Sequence, residues 1–149
     1  AKRIGLSVEA PLADIITRDG MDYGIGVIGS LAEPCTLRAL GELVKERFDA
    51  LSVKLFGDRE RSVCRIAICP GSGKSTIGDA IRGGADVLIT GDIDHHSGID
   101  AAAQGLCIID AGHYGLEHIF IGCMEQYLRE RLEGVTVTAQ AHREPFSVV

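Results

Sequence analysis

Apolar positions change their period several times along the chain, and each change marks an element. Leu37, Leu40, Val44 and Phe48 recur at helical spacing after Pro34, which predicts a helix with Arg47 near its end. Leu51, Val53 and Leu55 then alternate as a half-buried strand does. After a turn at Gly57-Asp58, the run from Val63 to Cys69 is almost continuously apolar, the pattern of a strand covered on both faces. A glycine loop follows, then a helix from Ser75 to Arg82 stopped by Gly83-Gly84. The unit repeats as strand Val87-Leu88-Ile89, helix Ser97 to Gln104 stopped at Gly105, and strand Leu106 to Ile109. A long helix carries Leu116, Ile119, Cys123, Tyr127 and Leu128 up to Gly134, and Val135 to Thr138 alternates as an edge strand would. Residues 1–23, interrupted by Pro11 and the turn-like Arg18-Asp19-Gly20, read as a loop-rich N-terminal segment with at most one helical turn. Residues 24–149 read as the α/β domain.

Strands separated by single helices imply right-handed crossovers, hence an α/β fold with a largely parallel sheet and helices on both faces. Ligands of such sheets bind outside the carboxyl ends of the strands. With 149 residues, 46% hydrophobic and 24% charged, the chain can bury one core. No apolar run approaches the roughly 18 residues that a bilayer crossing needs, so no membrane role is expected. Ala1-Lys2-Arg3-Ile4 has neither an initiator Met nor a signal-peptide apolar region, and reads as a start within a longer protein. A net charge of −6 offers no field to attract a polyanion, which argues against nucleic acid as partner. Five cysteines cannot all pair and none lies in a C-x-x-C; they read as small buried hydrophobes of a reducing cytoplasm. The absence of Trp beside 19 Gly turns attention to the glycines.

Gly24-Ile25-Gly26-Val27-Ile28-Gly29 fits the dinucleotide pattern G-x-G-x-x-G, but the polar, turn-like Thr17 to Tyr23 puts no strand before it. It reads as a glycine-rich entry to a packed turn. Pro70-Gly71-Ser72-Gly73-Lys74-Ser75-Thr76 resembles a P-loop in a strand-loop-helix setting. The full pattern requires Gly where Ile68 stands, so the loop is too short to wrap a triphosphate. The amides of Gly71, Ser72 and Gly73 could still hold an anion, or the glycines could be turn residues only.

Thr90-Gly91-Asp92-Ile93-Asp94-His95-His96 and Asp110-Ala111-Gly112-His113-Tyr114-Gly115-Leu116-Glu117 both leave carboxyl ends of adjacent predicted strands. His113 and Glu117 are four apart at a helix start, so both project from one face and could hold a divalent cation. Asp92 and His96 repeat that spacing. Imidazole and carboxylate suit zinc, manganese or iron, and a metal so held lowers the pKa of its water. The alternative is that polar residues simply gather at strand ends, with Asp92 or Ser97 an N-cap. His118, on another helical face, and His142, in a charged stretch, take no site role, and Arg59-Glu60-Arg61 reads as a solvated turn.

These motifs together carry a resemblance. Gly24-x-Gly26-x-x-Gly29, Ala67-Ile68-Cys69-Pro70-Gly71-Ser72-Gly73, Ala85-Asp86-Val87-Leu88-Ile89-Thr90-Gly91-Asp92 and Gly112-His113-Tyr114-x-x-Glu117 resemble, in order, the C-terminal half of the Nif-three-like dinuclear-metal proteins, from about Gly5-Leu6 to Pro145-Phe146. Members of that family are commonly named type-two GTP cyclohydrolase I. The resemblance implies an intertwined α/β architecture, toroidal hexamers and two metal ions per subunit facing an internal cavity. It makes His113 and Glu117 metal ligands, places His96 of the Gly-Asp-x-x-x-His motif in the same pocket with Asp92, and puts the Gly71 to Gly73 loop beside it. The family's other ligands, a His-His pair followed by Pro and a later Asp, belong to a half this chain lacks. His95-His96 is followed by Ser97 and is not that pair, while Lys74 and Asp94-His95 depart from the usual residues. Half a metal site is therefore expected.

Three functions follow as expectations. For the longer protein, a metal-dependent hydrolase resembling a GTP cyclohydrolase would act on a small-molecule substrate, with metal-activated water and proton transfer by His96. For this chain alone, a non-catalytic assembly and binding domain is expected, retaining little or no metal because two ligands are too few, and self-associating most simply as a two-fold dimer. A nucleotide-binding module built on Gly71 to Ser75 is the third.

Overall fold

Six strands and five helices make up the computed structural model, which describes residues 1–141. The strands are β1 (Ser7–Arg18), β2 (Met21–Thr36), β3 (Lys54–Phe56), β4 (Ser62–Ser72), β5 (Val87–Gly91) and β6 (Cys107–Asp110). The helices are α1 (Leu37–Arg47), α2 (Ile77–Arg82), α3 (His95–Ala103), α4 (His113–Glu117) and α5 (Ile119–Arg129), with 3-10 turns at Lys2–Ile4 and Lys74–Thr76. All six strands join one sheet in the order β1-β2-β4-β5-β6-β3. The α/β class holds. The expected parallel order is confined to β4, β5 and β6, whereas β1 with β2, β2 with β4, and β6 with β3 pair antiparallel.

Alternation along the central strands explains why both faces are covered. Ile66, Ile68, Val87, Ile89 and Ile109 pack on one face with Leu37, Leu40 and Val44 of α1 and Leu116 of α4. Ala67, Cys69, Leu88 and Ile108 point the other way, onto Ala80 of α2 and Ala101 of α3. Thr36 caps α1 by accepting the Ala39 amide at 3.1 Å, and Asp94 caps α3 by accepting the Ser97 amide at 3.0 Å. The cap of α3 is thus Asp94, not Asp92 or Ser97. Cys69 and Cys107 are buried as expected, Cys35 and Cys64 only half so, and Cys123 is exposed.

The largest departure lies within Ala1 to Tyr23, where the expected helical turn is present at Lys2–Ile4 but a long strand stands in place of the loop. Ser7–Arg18 runs antiparallel to β2, joined through Asp19-Gly20 at φ 52° and 75°, the two positive angles of a tight hairpin turn. The turn was legible and the strand was not, because most of the side chains of β1 are exposed and lack clean alternation. The Gly24 to Gly29 motif lies inside β2 and makes no loop: a Cβ at Gly24 would stand 2.5 Å from the Ala13 carbonyl oxygen, and one at Gly26 2.6 Å from that of Ile68. These glycines admit close neighbouring strands.

The long C-terminal helix is divided at His118, since Leu116 of α4 is drawn into the core while α5 buries no residue. Val135 to Thr138 forms no strand, and β3 takes the edge beside β6 instead. His142 and Pro145-Phe146 lie outside the described residues. Among those described, no helix is long and apolar enough to cross a membrane.

Candidate functional site

The parallel strands β4, β5 and β6 end on one side of the sheet, and their last residues bring the motifs together. The backbones leaving β5 and β6 touch, since a Cβ at Gly91 would lie 2.5 Å from both the Gly112 carbonyl carbon and the His113 nitrogen. The Ala111 amide donates to the Thr90 carbonyl at 2.9 Å. Asp92 follows at φ 57°, a left-handed conformation that Asp adopts more readily than most residues. Its Oδ2 lies 2.8 Å from His113 Nδ1, and His113 Nε2 lies 3.1 Å from Glu117 Oε2. Gly71, near the end of β4 at φ 74°, completes the wall: a Cβ there would stand 2.5 Å from Glu117 Oε1 and 3.3 Å from His113 Nε2.

His113 is thus held between two carboxylates. The hydrogen bond to Asp92, together with the charges of Glu117 and Asp92, raises its pKa above the usual histidine value against a partial opposing effect of desolvation. Facing a carboxylate, Nδ1 donates, which aims the other ring nitrogen at Glu117. A divalent cation between Nε2 and Glu117 would take the place of a proton there, and Asp92 behind the ring would fix its tautomer as carboxylates behind metal-bound histidines do. The donor set fits zinc, manganese or iron in kind and falls short in number. Among the described residues, no group of three or more His, Cys, Asp or Glu is arranged to hold a metal ion.

The other expected site residues are placed differently. Asp92 precedes α3 and turns to His113, so its spacing to His96 does not put the two on one helical face. His96 lies exposed on the first turn of α3, its ring edge-on to that of His95 with centroids 5.5 Å apart. Gly71 and Gly73 are buried and Ser72 exposed. A Cβ at Gly73 would collide with the Thr90 hydroxyl, which itself donates to the Gly71 carbonyl at 3.3 Å. Lys74, the P-loop lysine of the sequence pattern, is engaged by Asp94 Oδ2 at 2.7 Å. That ammonium, and after it Ser97, hold the Asp94 carboxyl well below the usual carboxylate range. His118 Nδ1 faces the Tyr114 carbonyl at 3.2 Å.

Sequence reasoning missed Asp110 and Lys54. Asp110 is buried at the end of β6, and Lys54 Nζ of β3 approaches its Oδ2 at 2.7 Å. The available signal was a charged residue closing an apolar strand; its partner depends on the β3–β6 register, which no local pattern reveals.

The family model of Duf34/NIF3 (NGG1p interacting factor 3) matches residues 1–145. The chain belongs to the Duf34/NIF3 family. A relative from Halalkalibacterium halodurans named "GTP cyclohydrolase 1 type 2 homolog" is 33% identical over 95% of this chain and 40% of its own length. One of the same name from Streptococcus pneumoniae is 37% identical over 85% of this chain and 51% of its own. Among solved structures, a Bacillus cereus protein related to NIF3 superposes with a TM-score of 0.76 at 31% identity, covering 90% of this chain and 38% of that one. The Duf34/NIF3 chain described here therefore spans about half or less of the length of these relatives.

Proposed function

We propose that this chain contributes half of a divalent-metal centre to a metal-dependent hydrolase acting on a small molecule, a purine nucleotide by the name its relatives carry. The observation that supports it is the His113 Nε2–Glu117 Oε2 pair at 3.1 Å, oriented by Asp92 and walled by Gly71 at the carboxyl ends of the parallel strands. When bound, a divalent ion supplies Lewis-acid polarisation of an oxygen of substrate or water. His113 and Glu117 donate electron pairs, Asp92 keeps the imidazole in its Nδ1–H form, and the glycine backbone at Gly71 admits the pair without a side chain between. His96, at the same end of the sheet, is the candidate for moving a proton to or from substrate.

Zinc or manganese titration tests the reading. This chain is expected to bind the ion weakly, and His113→Ala to abolish that binding while His118→Ala retains it. In a version extended to the relatives' full length, tight metal binding and cyclohydrolase turnover of GTP are expected, both removed by His113→Ala. Equal effects of the two histidine variants would overturn the assignment.

A second reading, a binding and assembly domain, is favoured by the apolar side chains left exposed: Ile15, Ile16 and Met21 on the hairpin, Phe120 and Tyr127 on α5. Homo-oligomerisation belongs to both readings. Light scattering showing a monomer at every concentration would reject it.

A further inference from the structure

One buried carboxylate binds the backbone beside each half of the Asp92–His113 hydrogen bond. The Asp110 side chain is 1% exposed. Its Oδ1 accepts the Gly112 amide at 2.9 Å, next to His113, and its Oδ2 accepts the Ile93 amide at 3.1 Å, next to Asp92. Lys54 stands directly opposite Asp110 in the antiparallel β3–β6 pairing. Its Nζ reaches Oδ2 at 2.7 Å and donates to the Ile93 carbonyl at 3.3 Å, so Ile93 is gripped at both its N–H and its C=O.

We propose that Asp110, locked by Lys54, is a positioning residue that sets the register between the loop carrying Asp92 and the loop carrying His113. The metal assignment made above enters only the last arm of the test. A buried carboxylate with an ammonium partner and two amide donors is a stiff clamp, because withdrawing any of the three leaves an Asp110 oxygen short of a partner where water does not reach it. It also gives the short edge strand β3 a part in the site: Lys54 is the side chain by which the edge of the sheet reaches the loops.

Asp86 supplies the control. Its Oδ2 accepts two amides, Cys64 at 2.9 Å and Arg65 at 2.8 Å, but it precedes β5, at the sheet end opposite the site. The experiment reads the imidazole ¹⁵N shifts of His113 in the labelled, metal-free chain, which report the tautomer of the neutral ring. The wild-type ring is expected to be mainly Nδ1–H. Asp110→Asn, with one acceptor replaced by a donor, is expected to shift the ring toward the Nε2–H form that free histidine prefers. Lys54→Met should move it in the same direction by less, and Lys54→Arg should restore it. Asp86→Asn should lower the thermal midpoint and leave the His113 shifts in place.

Wild-type shifts in folded Asp110→Asn, or equal displacement by Asp86→Asn, would overturn the proposal. Should Asp110→Asn fail to fold, Lys54→Met decides, since its side chain is 62% exposed: unchanged His113 shifts overturn the clamp, displaced shifts uphold it. In the last arm, zinc affinity should fall about tenfold in Asp110→Asn. A wild-type chain that takes up no zinc defeats the metal assignment, and the tautomer readout still decides the clamp.

Discussion

Replacing Gly71 with Ala separates two effects that most glycine substitutions confound. At φ 74° any side chain strains the backbone by about 1–2 kcal/mol. Gly84 has nearly the same angle, φ 68°, with nothing within 4 Å of its missing Cβ, so Gly84→Ala carries the strain alone. At Gly71 the new methyl also meets Glu117 Oε1 at 2.5 Å, closer than real Cβ atoms come. The Glu117 side chain is 48% exposed and free to rotate away, so the collision should be relieved by displacing the carboxylate rather than by unfolding. Both variants should therefore lose about 1–2 kcal/mol in urea denaturation, with similar slopes. Only Gly71→Ala should disrupt the His113–Glu117 pair, and its zinc affinity, followed through His113 imidazole shifts, should fall about tenfold below that of Gly84→Ala, or about 1.4 kcal/mol. Affinities within about twofold of each other would refute the idea that the Gly71 backbone shapes the His113–Glu117 pair.

The His113 imidazole should titrate by NMR above the ordinary value of 6.5, and Asp92→Asn should bring the midpoint down. Because the folded value is the higher one, the stability this pair adds is complete below the unfolded value and lost as pH rises through the folded one; Asp92→Asn should destabilise more near about pH 5 than near about pH 9. Gly98→Ala drives a methyl into the Phe56 ring, and overpacking of about 1–3 kcal/mol should outweigh about 1 kcal/mol of helix propensity. Gly41→Ala meets only the flexible end of Leu55, at 2.8 Å, and should be milder in the same urea assay. Calorimetry with ATP or GTP and magnesium should show no strong binding to this chain, before or after Lys74→Ala; micromolar affinity abolished by that change would restore the P-loop reading.

The α/β class, the central strands and the His113–Glu117 pair were legible because each rests on a local period: continuous apolar runs for β4 and β5, an i, i+4 spacing for the pair. What stayed hidden depends on register between distant segments. Strand β1 is recognisable only once β2 lies beside it, and the antiparallel β3–β6 pairing that brings Lys54 to Asp110 leaves no trace in either strand alone. Asp92 illustrates the intermediate case. Its presence at the strand end was readable, but its left-handed backbone, which turns it from His96 to His113, was not.

The hairpin leaves β1 as one border of the sheet, twelve residues long and open to an incoming chain. Such borders invite endless addition of strands, the route to fibres. This one is interrupted throughout its length. Pro11 offers no amide, the pairing slips between Val8 and Ala10 and again between Ala13 and Ile16, and Asp14 sits in the second slip at φ 49°. A newcomer would find no run longer than a few residues to zip onto. The arm can thus carry exposed apolar side chains on its faces while its border gives an added strand little to pair with.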